Sequence, residues 1–166
     1  MRNALILAAL VAVAAGCTPE ADNAKPKHAA LAGYAVYDPA AKGELLITAA
    51  TAKARAENKR VLVVFGGNWC KWCHHLDDVF TGDKNVKAAL DQHFVVVHVD
   101  SDGNGALNEK YNNPFSNGFP VMLVLDGDGK LLHTQDTGGI EREDHTVGYD
   151  VDKTVTFLKS WAPPVG

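Results

Sequence analysis

Cysteine is scarce in this chain of 166 residues, with three in all: Cys17, Cys70 and Cys73. Cys70 and Cys73 are three positions apart, so a bond between them closes too small a loop to hold a domain against unfolding. A disulfide-stapled scaffold is therefore excluded, and an active role suits the pair better than a structural one. An excess of positive charge is missing too. Sixteen Lys and Arg stand against twenty Asp and Glu, for a formal net charge of -4. That balance carries no basic footprint for nucleic acid. Internal repeats are absent. The long apolar run needed for a membrane-spanning helix is also absent: the purest run, Ala4 to Ala15, is too short to cross a bilayer.

That run has another use. Behind Arg2 it has the form of a signal-peptide core, and it ends in Ala14-Ala15-Gly16-Cys17. Small residues directly before Cys resemble a bacterial lipobox. The resemblance implies a signal peptide over 1–16 and acylation of Cys17, with Thr18 next to it favouring the outer membrane over the inner. Cleavage at Ala12-Val13-Ala14 as an ordinary exported protein is the alternative. With Cys17 lipidated, the remaining two cysteines form one pair, which fits the rarity of odd free thiols in exported chains. Residues 17–33 then read as the lipidated Cys and a flexible tether, polar and without periodicity. Residues 34–166 read as one domain; 46% hydrophobic and 22% charged residues suit a globular core.

Periodicity orders the domain as helix, strand, helix, strand, connection, hairpin, helix. Glu44 to Asn58 is rich in helix formers. Val61–Phe65 and Phe94–Val99 are continuous apolar runs, predicted as strands buried on both faces. Between them a helix carries Cys73, Leu76, Val79 and Phe80 inward and stops at Gly82, and Asp83 caps another. After a loop-rich stretch with a helical turn near Ala106–Tyr111, Val121–Leu125 forms a third strand. Asp126-Gly127-Asp128-Gly129 turns the chain, and Lys130–Thr134 returns as a fourth. From Asp150 a last helix turns Val151, Val155, Leu158 and Trp161 to the core. The fold class is α/β: a central mixed sheet of about four to five strands with helices on both faces.

Chemistry concentrates in Gly66-Gly67-Asn68-Trp69-Cys70-Lys71-Trp72-Cys73-His74-His75. A C-x-x-C that follows a buried strand and opens a helix places Cys70 at the helix N-terminus. Unpaired N–H groups and the helix dipole there favour a thiolate. Lys71 adds positive charge. Cys73, one turn on, can close a disulfide with Cys70 or resolve a mixed disulfide formed on it. His74 falls on the Cys70 face of a regular helix, placed either to steady the thiolate and move protons or simply to face solvent. Trp69 and Trp72 can form an apolar rim around the sulfurs.

The W-C-x-x-C element with its preceding strand resembles the thioredoxin family. Asn117-Gly118-Phe119-Pro120-Val121 resembles that family's loop before a strand. The resemblance covers roughly residues 44–161. It implies a thioredoxin fold, a cis Phe119–Pro120 bond facing the cysteines, and thiol–disulfide exchange by Cys70 and Cys73 with Pro120 as a site residue. It implies no cofactor and no metal. The partners are protein thiols and disulfides, among them a redox partner in the cell envelope, met by a monomer held in the periplasm by its lipid. Trp69, Lys71, Trp72, His74 and Phe119 are supporting candidates. The family's buried Asp and Lys are replaced by Val64 and Val96. An unpaired buried charge is costly, so their joint loss is self-consistent, and it leaves Cys73 without its usual proton acceptor.

Other chemistries fit parts of the same segment. Cys70-x-x-Cys73-His74 satisfies the attachment motif of c-type haem. Cys70, Cys73, His74 and His75 are zinc-ligand types, though without the second half of a structural site. The alternative function is thus a non-enzymatic periplasmic lipoprotein binding metal or haem through Cys70, Cys73 and His74. Asp100-Ser101-Asp102-Gly103-Asn104-Gly105 opens like a calcium loop, but Tyr111 stands where the closing Glu belongs, and a polar turn is the simpler reading. The polar stretch 138–149 has no assigned role.

Overall fold

A computed structural model describes residues 28–144 and 146–164. The expected signal peptide, Cys17 and the first part of the expected tether lie outside the described residues. Helix α1 spans Gly43–Ala56 and leads into strand β1, Arg60–Gly66. Helices α2 (Lys71–Gly82) and α3 (Lys84–His93) follow, then β2 (Phe94–Asp100). Helix α4 (Gly105–Lys110) and a 3-10 turn at Pro114–Asn117 fill the connection to β3 (Val121–Leu125). Strand β4 (Leu131–Asp136), a second 3-10 turn at Thr137–Ile140 and α5 (Val151–Ser160) follow.

The strands form one mixed sheet in the order β2-β1-β3-β4. β1 runs parallel to β2, with Val64 opposite His98, and antiparallel to β3, with Val64 opposite Met122. Alternation along the strands builds two cores. Leu62, Val64, Met122 and Val124 face one way and pack with Leu76, Phe80, Val86, Leu90, Phe157 and Leu158 from α2, α3 and α5. Val61, Val63, Phe65, Val121, Leu123 and Leu125 face the other way, toward Ile47, Ala50 and Ala54 of α1 and Leu107 of α4. With Leu76 1% exposed, its truncation to Ala removes about 2–5 kcal/mol.

Three expectations are corrected. β2 is not buried on both faces: Val95 to His98 are only partly covered, because β2 lies at the sheet edge. β4 begins at Leu131 and runs to Asp136; Lys130 belongs to the turn, where its N–H and that of Asp128 donate to the Asp126 carboxylate. The buried face of α5 is Thr154, Phe157 and Leu158. Val151, Val155 and Trp161 flank it, and Trp161 stacks on His133 at 4.4 Å at the border of the core.

Capping fixes how the chain enters the site. Asp83 ends α2 and starts α3, its carboxylate accepting from the N–H groups of Asn85 and Val86. Cys70 is the N-cap of α2, and its Sγ accepts from the Cys73 N–H at 3.2 Å. Two residues of the stretch 138–149, Glu141 and Tyr149, also find a role. Glu141 pairs with Tyr149 in an isolated bridge, and Tyr149 is buried against Trp72 at 5.6 Å.

Candidate functional site

The central strand β1 ends at Gly66, and two close approaches explain the glycine pair. A Cβ on Gly66 would collide with Cys73 Sγ and would lie 2.8 Å from the Tyr37 hydroxyl. A Cβ on Gly67 would run into the Trp69 indole. The chain can therefore fold tightly from the strand into α2 and bring both cysteines under its end. Cys70 and Cys73 are joined as a disulfide, their Cα atoms 5.3 Å apart. Both are buried, Cys73 more deeply: 2% of its surface is exposed against 6% of Cys70.

Opposite the cysteines stands the loop before β3. The Phe119–Pro120 peptide bond is cis. The Phe119 carbonyl oxygen is 3.7 Å from Cys70 Sγ. The Pro120 carbonyl accepts from the Thr137 hydroxyl at 2.8 Å, which ties this loop to the end of β4. Phe119 packs edge-on against Trp69 at 5.7 Å and against Phe115 at 5.1 Å. Trp69, Trp72, Phe119 and Val36 are partly exposed around Tyr37 and the two cysteines. Lys71 is exposed in the first turn of α2.

His74 takes neither place expected of it. It is buried, not solvated, and its ring is committed elsewhere than the sulfurs. The ring stacks on Tyr34 at 3.5 Å, nearly parallel, and Nε2 donates to the Asn68 carbonyl at 3.0 Å. Because that partner is an acceptor, Nε2 carries a hydrogen. Tyr34 is held in turn by its hydroxyl donating to Asp78 at 2.8 Å. His75 stays half-exposed beside Trp72 and 4.0 Å from Asp78.

Two residues that composition and spacing did not single out organise the site. Asn68 accepts from the Tyr37 N–H at 3.0 Å and donates its amide to the Tyr37 carbonyl at 2.7 Å. The Asn68 backbone carbonyl also accepts from the Leu31 N–H at 2.9 Å. The ring of Tyr37 thereby enters the site from the stretch His28–Tyr37. That segment, whose beginning was read as tether, lies against the domain. His28 packs on Trp69 at 4.3 Å and bonds the Asp102 carboxylate. No periodic signal marks either residue; only the proximity of Asn68 to the cysteines could have drawn notice.

Val64 and Val96, at the places of the family's charged pair, sit in or against the apolar core. The polar groups near the sulfurs are different ones. Burial pushes the Tyr37 phenol pKa far above its ordinary value. Burial pushes His98, edge-on to Tyr37 at 5.2 Å, down to about 4. Burial, reinforced by the charge of Asp78, raises the Asp77 carboxyl. Burial likewise raises Asp100.

Metal ligation finds little support in these positions. Among the described residues no three His, Cys, Asp or Glu side chains gather to hold an ion. The calcium-like run from Asp100 is a turn: Asp100 accepts from the Asp102 N–H, and Asn104 bonds Ala41, Gly43 and Asp100 backbone.

A parallel–antiparallel sheet with a cysteine pair at the head of the helix after its central strand, faced by a proline loop, is the thioredoxin architecture. The chain belongs to the thioredoxin-like family, whose model matches residues 46–127. Over 102 residues it is 34% identical to protein disulfide isomerase-like 2-1 of Oryza sativa subsp. japonica, covering 61% of this chain and 24% of that protein. The chain thus spans about a quarter of the length of the curated relatives it matches. Its structure is similar to a disulphide isomerase from Xylella fastidiosa Temecula1, with TM-score 0.67 and 28% identity over 78% of this chain and 98% of the other. The oxidised C-terminal domain of Neisseria meningitidis DsbD shares the fold, with TM-score 0.51 and 19% identity over 73% and 97% of the two chains.

Proposed function

We propose that this protein is a thiol–disulfide oxidoreductase that exchanges the Cys70–Cys73 dithiol and disulfide with protein substrates. The observation that carries the reading is the position of Cys70. It caps α2, accepts the Cys73 N–H and lies beside the Phe119 carbonyl, within an apolar rim.

The chemistry follows from that position. In the reduced protein, the N–H groups at the head of α2 and the charge of Lys71 favour the Cys70 thiolate. That thiolate attacks a substrate disulfide, one substrate sulfur leaves as thiolate, and a mixed disulfide forms on Cys70. Cys73 then attacks Cys70 Sγ, releasing the second substrate thiolate and closing the Cys70–Cys73 bond. The reverse sequence oxidises a substrate dithiol. The Phe119 carbonyl and the rim of Trp69, Trp72 and Val36 offer an extended peptide one backbone acceptor and apolar contact.

Haem or metal attachment fits less well. His74, which that reading needs, is buried against Tyr34 and bonded to Asn68. Export completes the reading: the apolar run and Cys17 support a lipid-anchored protein acting in the periplasm, at the outer membrane. The test is reduction of insulin disulfides by purified protein with dithiothreitol. Catalysis is expected and should vanish with Cys70→Ser. Equal rates with and without the protein would overturn the proposal.

A further inference from the structure

We infer that the Tyr37 hydroxyl is the hydrogen-bond donor that receives the Cys73 thiolate when the disulfide opens, taking the place of the charged pair that Val64 and Val96 lack. The inference rests on the oxidoreductase reading. Three observations carry it. The Tyr37 hydroxyl is buried and, among the described residues, has no hydrogen-bond partner in the disulfide form. Tyr37 packs in one cluster with Cys70 and Cys73. The hydroxyl and Cys73 Sγ both crowd the point where Gly66 would carry a Cβ, the hydroxyl at 2.8 Å and the sulfur nearer still.

A buried hydroxyl left unpaired is costly unless some state of the protein pairs it. The state at hand is the reduced one. A substrate thiolate attacks Cys70 Sγ, a substrate–Cys70 bond forms, and the Cys70–Cys73 bond breaks with its electron pair on Cys73 Sγ. That sulfur is now an anion with almost no exposure to water, and the Tyr37 O–H can donate to it. No proton is transferred, since burial raises the phenol pKa well beyond reach of a neutral solution. A second substrate thiolate then attacks the mixed disulfide, releasing Cys70 as thiolate and the substrate as disulfide. Two electrons have passed from substrate to protein.

Among the described residues, the titratable groups that act on the phenol are Asp77 on α2, His98 and Asp100 on β2, and Tyr149 before α5. His98 is neutral at working pH, and His74 is bonded to Asn68. Asp77 is the competing candidate, because it lies one turn after Cys73 on the same helix. As an anion it would repel the Cys73 thiolate and cannot donate to it.

Tyr37→Phe removes the donor and keeps the ring, and no hydrogen bond made by the hydroxyl among the described residues of the oxidised fold is lost. The test equilibrates wild type, Tyr37→Phe and Asp77→Asn with glutathione buffers and quantifies oxidised and reduced protein. Tyr37→Phe is expected to favour the disulfide by about tenfold, roughly 30 mV toward a more reducing couple. In a Cys70→Ser background it should also move the midpoint of Cys73 alkylation to higher pH by a factor of about ten in proton concentration. Wild type labelled at tyrosine Cζ offers a reading free of substitution: among Tyr34, Tyr37, Tyr111 and Tyr149, the resonance of Tyr37 should move most on reduction. An unchanged equilibrium and an unchanged alkylation profile in Tyr37→Phe would overturn the inference, as would both effects appearing in Asp77→Asn alone. Failure of wild type to exchange with glutathione would instead overturn the oxidoreductase reading and this inference with it.

Discussion

The side-chain amide of Asn68 grips the backbone of Tyr37 from both sides, accepting from its N–H at 3.0 Å and donating to its carbonyl at 2.7 Å. The turn that presents Cys70 and the segment that presents the phenol are thereby one unit. Asn68→Ala leaves both Tyr37 backbone groups without their partner in a buried place. A loss of about 1–3 kcal/mol is expected, measured as a lower urea midpoint with unchanged slope. Because Tyr37 would loosen, insulin reduction should slow as well.

Gly66→Ala tests how tightly the strand end is packed on the sulfur. The new methyl collides with Cys73 Sγ and the Tyr37 hydroxyl, and overpacking of this kind costs about 1–3 kcal/mol. Gly82→Ala is the control, since a Cβ there meets nothing within 4 Å. Thermal unfolding should fall for the first variant and stay level or rise for the second.

His98 sets a pH dependence of stability. Its folded pKa, pushed down to about 4 by burial, lies below the ordinary 6.5. The unfolded chain therefore binds the proton first. Stability from this group is intact above about pH 6.5 and falls as the pH drops toward 4, by on the order of 3 kcal/mol in all. Asp100, raised by burial, pulls the other way at higher pH. Denaturant midpoints from pH 7 to 4 should decline less steeply in His98→Gln than in wild type.

The central sheet and the redox pair were legible because both leave local marks. Val121–Leu125 begins after Pro120 and ends at the Asp126 turn, and β3 has those bounds. The C-x-x-C sits where a buried strand gives way to a helix. What was not legible depends on neighbours. An apolar run such as Phe94–Val99 looks alike at the edge and the centre of a sheet. Whether Trp161 is enclosed depends on how His133 of β4 meets α5. The contact between Asn68 and Tyr37 joins a turn to a segment 31 residues earlier through backbone groups, and so has no signature in residue type or period. His74 was read as a partner of the Cys70 thiolate or as a solvated residue, but its ring follows Tyr34 and Asn68, which spacing could not reveal.

Export is tested at the N-terminus. Protein expressed in a bacterium that processes lipoproteins should yield a mature chain beginning at Cys17, acylated, in the outer-membrane fraction. Mass spectrometry of the N-terminal peptide checks it. An unmodified N-terminus at or upstream of Cys17 would contradict the lipid anchor while leaving the redox chemistry untouched.

Trapping of the mixed disulfide reads the exchange itself. In Cys73→Ser the resolving sulfur is gone, so any protein disulfide attacked by Cys70 should remain joined to it. Incubated with oxidised insulin or an envelope extract, Cys73→Ser should accumulate adducts that dithiothreitol releases and whose linked peptide contains Cys70. Cys70→Ser should accumulate far fewer, because Cys73 is the deeper sulfur. Adducts of equal yield in the two variants, or none in Cys73→Ser, would contradict the assignment of Cys70 as the exchanging thiol.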